Sequence, residues 1–525
     1  MEKRVLIAAL LSGVVVVLWF ALMGPTPPVS TLGQPAIAHT PVPSRAAAEA
    51  TNEGAVSRAP EADARPAVHG DQAEVITVEG PGVSVMVDSR GGVLRSIVLP
   101  EYKSDTGGTL DLVSAGGPAP LSLAAAGPWN DEVYRVERVG GGVVLSWSDG
   151  AGNWVEKRVA PNGRRFGLTV AVSGGGAGFR SGVVVASGVG VAGGSAGRGQ
   201  FAGEDAVFRA NGKLDRVKAE KIEGRREIEG GLAFLGVEDQ YFILALLPDG
   251  TDCRGVLRAR GEAKSIVPEA IALPRGDSLG GTLYAGAKEH RTLAAAGRGL
   301  QETVSFGIFG VVSVGFLASL RWIYSWVGNW GLAIIVLTAG IRLVLFPLNH
   351  KSTTSMRKMQ AVQPKMKAIQ ERYKDRAKKD PQVRNRMNQE VMQLYKQEGV
   401  NPMGGCLPML VQMPILFALY TLFAYAIELR QAPFIFWITD LSLKDPYYIT
   451  PILMTATMVL QQRITPQVGD PAQRKMFMFM PFIFGFMFLQ FPAGLVLYWL
   501  VNNILTIGQQ WATDRLTGVA AAKAS

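Results

Sequence analysis

Apolar residues in this chain are gathered into a few long runs separated by text of different periodicity, so the hydrophobic pattern divides the polypeptide before any motif is considered. Val5 to Met23 is nineteen residues without a formal charge, preceded by Lys3 and Arg4 and followed by Gly24-Pro25-Thr26-Pro27-Pro28. A bilayer core takes about 20 helical residues, whereas the apolar region of a signal peptide has only about 7 to 15. The run therefore predicts an uncleaved signal anchor (1–23) with a cytoplasmic N-terminus. The competing cleavage site, Ala36-Ile37-Ala38, lies far beyond it.

Residues 24–72 are rich in Pro, Ala, Thr and Glu and lack apolar periodicity, which predicts a disordered tether. From 73 to 300 the text changes to short β-branched runs punctuated by glycine, such as Val83–Val87, Gly142–Trp147, Phe166–Val172 and Tyr241–Leu247. Many short strands with frequent turn residues predict an all-β antiparallel sandwich. Five further apolar spans follow: Trp330–Leu348, Leu407–Ile427, Tyr448–Leu460, Met476–Phe491 and Leu495–Ala512. The fold class expected is a multi-domain membrane protein: an α-helical transmembrane bundle of six spans, five of them forming the core at 329–512, plus the sandwich. Within 349–402, Met356–Lys374 and Pro381–Gln397 predict a cytoplasmic helical hairpin, and 513–525 is left as a short cytoplasmic tail.

Charge orients these pieces. The formal net charge is +10, yet residues 349–402 alone carry thirteen Lys/Arg against five Asp/Glu, whereas 24–320 nets −3. Positive loops stay inside, so the insertion is expected in the cytoplasm and the sandwich on the other side of the membrane, with both termini cytoplasmic. Counting Val304–Ile323 as a span would invert that arrangement. With Gly307, Gly310 and Gly315 followed by Arg321, Trp322, Tyr324 and Trp326, the segment 301–328 reads instead as an amphipathic helix lying on the outer membrane surface.

Candidate chemistry centres on Arg342, about 4.5 Å to the cytoplasmic side of the middle of its span at 1.5 Å per residue. A guanidinium there costs about 2.5 to 3.5 kcal/mol on insertion scales, so something must solvate it. One reading is a water-filled groove open to the cytoplasm, with the cation as a docking charge. The other is a side chain that snorkels to the headgroups. Thr338 lies one turn earlier on the same face, and Trp499, Asn502, Asn503, Thr506 and Gln510 follow helical spacing, predicting a polar face at lipid depth. Gln412, Thr455, Thr457 and Gln461 add donors, each of which could equally serve an interhelical hydrogen bond. Met476, Met478, Met480 and Met487 alternate with Phe477, Phe479, Phe482, Phe484, Phe486 and Phe488, an adaptable surface suited to varied apolar partners or to ordinary packing. On the third and fifth spans, Met413, Leu416, Met480, Phe484 and Met487 form the expected apolar contact set. Arg357, Lys358, Lys365, Lys367 and Arg372 form a cytoplasmic basic loop that could meet ribosomal RNA or anionic lipid, or serve only as a topology signal.

Enzymatic signals are nearly missing. The four histidines, His39, His69, His290 and His350, avoid the predicted strands, and the two cysteines, Cys253 and Cys406, make neither a disulfide framework nor a zinc module. No nucleotide loop or nucleophile elbow is present, and no catalytic residue, metal or cofactor is expected.

The stretches Asn401-Pro402-Met403-Gly404-Gly405-Cys406-Leu407-Pro408, Gln412-Met413-Pro414-Ile415, Glu428-Leu429-Arg430-Gln431-Ala432-Pro433-Phe434, Asp445-Pro446-Tyr447-Tyr448-Ile449 and Phe491-Pro492-Ala493-Gly494-Leu495-Val496-Leu497-Tyr498 resemble the YidC membrane protein insertase family of Gram-negative bacteria, within the wider YidC/Oxa/Alb group. The resemblance covers about 320 to 512. It implies a non-enzymatic insertase and chaperone that takes nascent membrane proteins from the ribosome, alone or with the Sec translocon (SecYEG, SecDF), and has the phospholipid bilayer but no DNA among its partners. The family's groove arginine falls on Arg342 and its groove threonine on Thr338. Its aromatic position in the last helix, often tyrosine, falls on Trp499 beside Tyr498. A sugar-mutarotase-like sandwich is implied for the periplasmic part, with the missing histidines arguing against retained catalysis. Two rival classes remain at this point: a small-anion transporter or channel using Arg342 as its binding charge, and a carbohydrate enzyme on a membrane anchor.

Overall fold

The computed structural model describes residues 65–516 apart from 106, 115, 191–202, 251–252, 262–265, 275, 305, 378–379, 401–406 and 466–470. The predicted anchor, nearly all of the tether, the tail beyond Leu516 and the Asn401–Cys406 stretch lie outside the described residues, while the first four residues of the predicted tail continue the last helix. Residues 361–400 form one compact unit, and the described parts of 61–360 and 401–525 form another.

In the larger unit, antiparallel strands build three sheets among the described residues. The largest runs in the order Lys213–Lys218, Asp205–Ala210, Leu232–Glu238, Phe242–Pro248, Ser278–Ala287, Gly167–Gly175, Trp154–Pro161, Gly142–Ser148, Arg135–Val139. A four-stranded sheet (Arg225–Ile228, Arg254–Arg260, Val267–Leu273, Val183–Ser187) packs on its Leu232–Pro248 half. A second (Val75–Gly80, Val83–Asp88, Val93–Lys103, Thr109–Asp111) packs on its Gly142–Pro161 half. Val83, Val85 and Val87 alternate inward as a one-sided strand must, whereas every residue of Phe242–Pro248 is buried, which is why that strand reads as an unbroken apolar run. Phe166 sits at φ +62°, fully buried, and its ring presses on Gly286, where a Cβ would lie 2.3 Å from the ring. Only glycine permits that approach. An ammonium is sunk in this domain: Lys157, 0% exposed, donates from Nζ to the Gly91 carbonyl at 2.6 Å and has no acidic partner among the described residues.

The helical part contains α1 (Gly310–Val327), α2 (Trp330–Ala377), α3 (Pro381–Gln397), α4 (Leu407–Tyr425), α5 (Ile449–Ile464), α6 (Pro471–Phe488) and α7 (Ala493–Leu516). The separate span and hairpin helix expected at Trp330–Leu348 and Met356–Lys374 are one 48-residue helix, α2. The change from apolar to basic text after Leu348 reports a change of solvent, whereas a helix ends where its backbone groups find other partners, and here Thr353 and Thr354 simply bond back to the Asn349 and His350 carbonyls within the helix. By length and composition, α1 and the Trp330–Lys374 part of α2 are the helices long and apolar enough to cross a membrane among the described residues; α4 and α6 carry shorter apolar stretches, Val411–Tyr425 and Phe477–Phe488. Helix α1, read from the sequence as surface-lying, buries Ser313, Leu317, Leu320 and Ile323 and leaves Val311, Trp322 and Trp326 exposed. Ser313 Oγ donates to the Ala418 carbonyl of α4 at 2.9 Å.

Helices α5 and α6 cross closely at Gly485, where a Cβ would meet Thr455 Oγ1 at 2.2 Å. The sandwich and helices share polar ties: Gln240 Nε2 donates to the Ala424 carbonyl at 2.5 Å, and Arg430 Nη2 donates to the Lys103 carbonyl at 2.9 Å and to Asp105 Oδ1 at 2.7 Å.

The smaller unit pairs the C-terminal part of α2 with α3. Asp380 caps α3 by accepting from the Gln382 amide at 2.7 Å, ahead of Pro381 in the first turn. Ile369 and Met387 are its buried centre, with Tyr373, Val383, Val391 and Leu394 packed around them.

Candidate substrate groove

Arg342 lies on α2 facing α7. Its Nε donates to Asn502 Oδ1 at 2.7 Å, and its Nη2 donates to the Asn502 carbonyl at 3.2 Å and to Thr506 Oγ1. Asn502 and Thr506 are one turn apart, so the last helix offers the guanidinium two stacked acceptors on a single face. Thr506 in turn donates its hydroxyl to the Asn502 carbonyl at 2.6 Å, which orients its lone pairs outward. No carboxylate of the described residues is ion-paired with Arg342. Neutral acceptors satisfy hydrogen bonds without cancelling charge, so the half-buried guanidinium keeps its charge uncompensated by any carboxylate of the described residues.

Thr338, one turn before Arg342, is 1% exposed and its hydroxyl donates to the Ile334 carbonyl at 2.6 Å. It is satisfied within its own helix. Gln412 on α4 and Tyr498 on α7 form a second contact, amide Nε2 to phenol oxygen, with Tyr498 1% exposed.

The predicted polar stripe of the last helix divides between neighbours. Asn502 and Thr506 go to Arg342, while Asn503 turns to α5 and Gln510 to Thr465, the residue just past its end: Asn503 Nδ2 donates to Thr457 Oγ1 at 3.2 Å and Gln510 Nε2 to Thr465 Oγ1 at 2.9 Å. Both are nearly buried. Trp499 leaves the polar set altogether, stacking on Phe484 at 6.2 Å between ring centres and tilting over Phe488 at 5.4 Å. A 3.6-residue repeat places five side chains within a broad arc, and three helices packed around α7 then partition that arc.

Of the expected apolar contact set, Leu416 is buried, while Met413, Phe484 and Met487 are partly buried against the core and Met480 is half-exposed. The outward side of α6 is Phe477, Met478, Phe479, Phe482, Ile483 and Phe486. Among the basic residues, Arg357 and Lys358 lie on α2, Lys365 Nζ pairs with Glu398 at 2.6 Å, Arg372 Nη1 pairs with Glu390 at 2.9 Å, and Lys367 is exposed. Thr506 had a sequence signal, its i+4 spacing from Asn502. The Arg430 contact with Asp105 had none.

Two family models match the chain, one described as 60Kd inner membrane protein over residues 322–519 and one as YidC periplasmic domain over 75–318. A membrane protein insertase YidC from Geobacter metallireducens is 36% identical over 553 residues, covering 100% of both chains. The protein of the same description from Nitratidesulfovibrio vulgaris is 36% identical over 558 residues, covering 97% of this chain and 98% of its own. The solved structure titled "Active YidC insertase crystal structure with the first transmembrane domain resolved" is 18% identical, covers 86% of this chain and 95% of its own, and superposes with a TM-score of 0.36.

Proposed function

Because this chain belongs to the YidC family of membrane protein insertases, we propose that it inserts nascent inner-membrane proteins by receiving a polar or acidic segment of the client at Arg342 while the client's apolar segment moves along α4 and α6 into lipid. The observation that supports this reading is a guanidinium inside an apolar run that, among the described residues, is held by the neutral acceptors Asn502 and Thr506 and by no carboxylate. A charge so placed lowers the cost of bringing a carboxylate into the membrane, since the two desolvated partners compensate each other. In this proposal Asn502 faces the groove with Arg342, Gln412 and Tyr498 bridge α4 and α7 beside it, and Thr338, Trp499 and Asn503 act behind it by packing α2 and α7. Met413, Leu416, Met480, Phe484 and Met487 form the apolar path. Hydrophobic partitioning and the membrane potential, about 2.3 kcal/mol per charge per 100 mV, supply the drive without a nucleotide.

The proposed orientation puts the N- and C-termini and the α2–α3 hairpin in the cytoplasm and the sandwich in the periplasm, with the basic residues Arg357, Lys358, Lys365, Lys367 and Arg372 toward the ribosome. Cooperation with the Sec translocon belongs to the same proposal. The test compares Arg342→Lys and Arg342→Ala in a strain depleted of its own insertase. Lysine should support growth and client insertion better than alanine; full and equal support by both would remove the charge from the mechanism. Crosslinkers at positions 338, 412 and 499 should capture a stalled nascent chain, and capture at none of them would displace the route.

A further inference from the structure

A cleft of about 290 Å3 opens on the sandwich between the turn ahead of strand Gly167–Gly175 and the short helix His290–Ala296. Arg164, Arg165 and Arg291 line it together with Thr282, Thr292 and Tyr284. Of these cations, Arg165 is neutralised, with Nη1 3.3 Å from Glu289 and Nη2 on Glu101. Arg164 and Arg291 have no acidic partner among the described residues and are exposed. Thr292 is occupied by its hydrogen bond to Glu289 at 2.8 Å and the Tyr284 hydroxyl by the Ala287 carbonyl, which leaves the Thr282 hydroxyl and the Asn162 side-chain amide as neutral donors to the cleft.

Two uncompensated guanidinium forks suit an oxyanion, carboxylate or phosphate, rather than a neutral sugar, and the neutral donors beside them suit the polyol that a glycerophosphate carries. The volume accommodates a headgroup and excludes acyl chains, lying at the small end of ligand pockets, which start near 300 Å3. Position favours a lipid as the source. Glu289, which holds Arg165, is also 3.9 Å from Arg321 of α1, and the next residue, Trp322, is exposed with Trp326 on the same helix. Exposed tryptophans beside an arginine mark the headgroup level of a bilayer. We propose that this cleft binds the glycerophosphate headgroup of an anionic phospholipid in the outer leaflet, fixing the sandwich against the membrane. The proposal rests on the orientation given above.

The test uses the full chain in nanodiscs of phosphatidylcholine with a minor share of phosphatidylglycerol, and native mass spectrometry to count retained phosphatidylglycerol. Wild type should retain one molecule more than Arg164→Ala/Arg291→Ala, Arg164→Lys/Arg291→Lys should retain part of the difference, and the charge-matched Arg95→Ala/Arg226→Ala should equal wild type. Equal retention by wild type and the alanine pair overturns the site. Binding of soluble glycerol phosphate with no preference for lipid overturns the lipid source, and loss of the lipid only on adding an acidic peptide identifies a peptide site instead. Client insertion, measured in the same nanodisc lipids reconstituted as vesicles, separates the outcomes: failed insertion by wild type counts against the insertase route, whereas equal lipid retention with normal insertion counts against this cleft alone.

Discussion

Arg430 and Asp105 stand 325 positions apart in sequence and 2.7 Å apart in the folded chain, Nη2 to Oδ1. The same guanidinium donates to the Lys103 carbonyl and lies over the Phe242 ring, 5.2 Å from its centre. The loop after α4 is thereby tied to the sandwich by a side chain that is 2% exposed. Arg430→Ala removes charged hydrogen bonds worth about 1.5 to 3 kcal/mol each, so thermal unfolding of the full chain should move to lower temperature. Arg430→Lys should recover part of the loss, because an ammonium keeps the charge without the fork. An unchanged transition in both variants would show the tie to be energetically idle.

Asn502 and Arg342 should couple. Interhelical hydrogen bonds in membranes average about 0.6 kcal/mol with a maximum of about 1.7, so a double-mutant cycle of Arg342→Ala with Asn502→Ala should return an interaction of that size and favourable sign. Folding stability in mixed micelles is the measurement, and strict additivity would place the guanidinium elsewhere.

Gly485 sets the spacing of α5 and α6. A methyl at this position meets Thr455 Oγ1 at 2.2 Å, so Gly485→Ala should destabilise the pair by about 1 to 3 kcal/mol as overpacking does. Thr455→Ala in the same chain removes the obstructing hydroxyl and should restore most of the lost stability. Failure of that rescue would mean the clash is relieved by another route.

Burial pushes the Lys157 ammonium down to about 7 from 10.5. Between those values the unfolded chain holds a proton that the folded chain has released, so stability rises with pH across the window and is flat below it. Burial acts oppositely on Glu204, raising its carboxyl to about 7 from 4.5, so its contribution falls as pH climbs between 4.5 and 7. Thermal unfolding against pH should therefore pass through a shallow minimum near neutrality. Lys157→Met should flatten the alkaline side and stabilise the protein below pH 7; persistence of the rise would assign it to another group.

In the smaller unit, Asp380→Ala removes the acceptor for the Gln382 amide and should cost about 0.5 to 2 kcal/mol of helix stability. Faster amide exchange confined to the first turn of α3 is the expected signature, and unchanged protection there would contradict the cap.

Much of the architecture was legible from the chain because it follows from local pattern. Val83–Val87 alternates, Phe242–Pro248 does not, and each becomes the kind of strand its periodicity requires. Pro381 after Asp380 marks the start of α3 to the residue. Arg342 drew attention by itself, since a charge inside an apolar run has to be solvated by something. What a one-dimensional pattern carries no record of is which neighbour takes each polar group. The division of the last helix, with Asn502 and Thr506 turned to α2, Asn503 to α5, Gln510 to Thr465 just past its end and Trp499 onto α6, depends on three helix surfaces that meet only when packed. The unbroken course of α2, the tie between Arg430 and Asp105, and the arginine cleft are of the same kind. Hydrophobic periodicity encodes where water is excluded; the partners of buried and half-buried polar atoms are decided by close packing between segments distant in sequence, and only the folded chain brings those segments together.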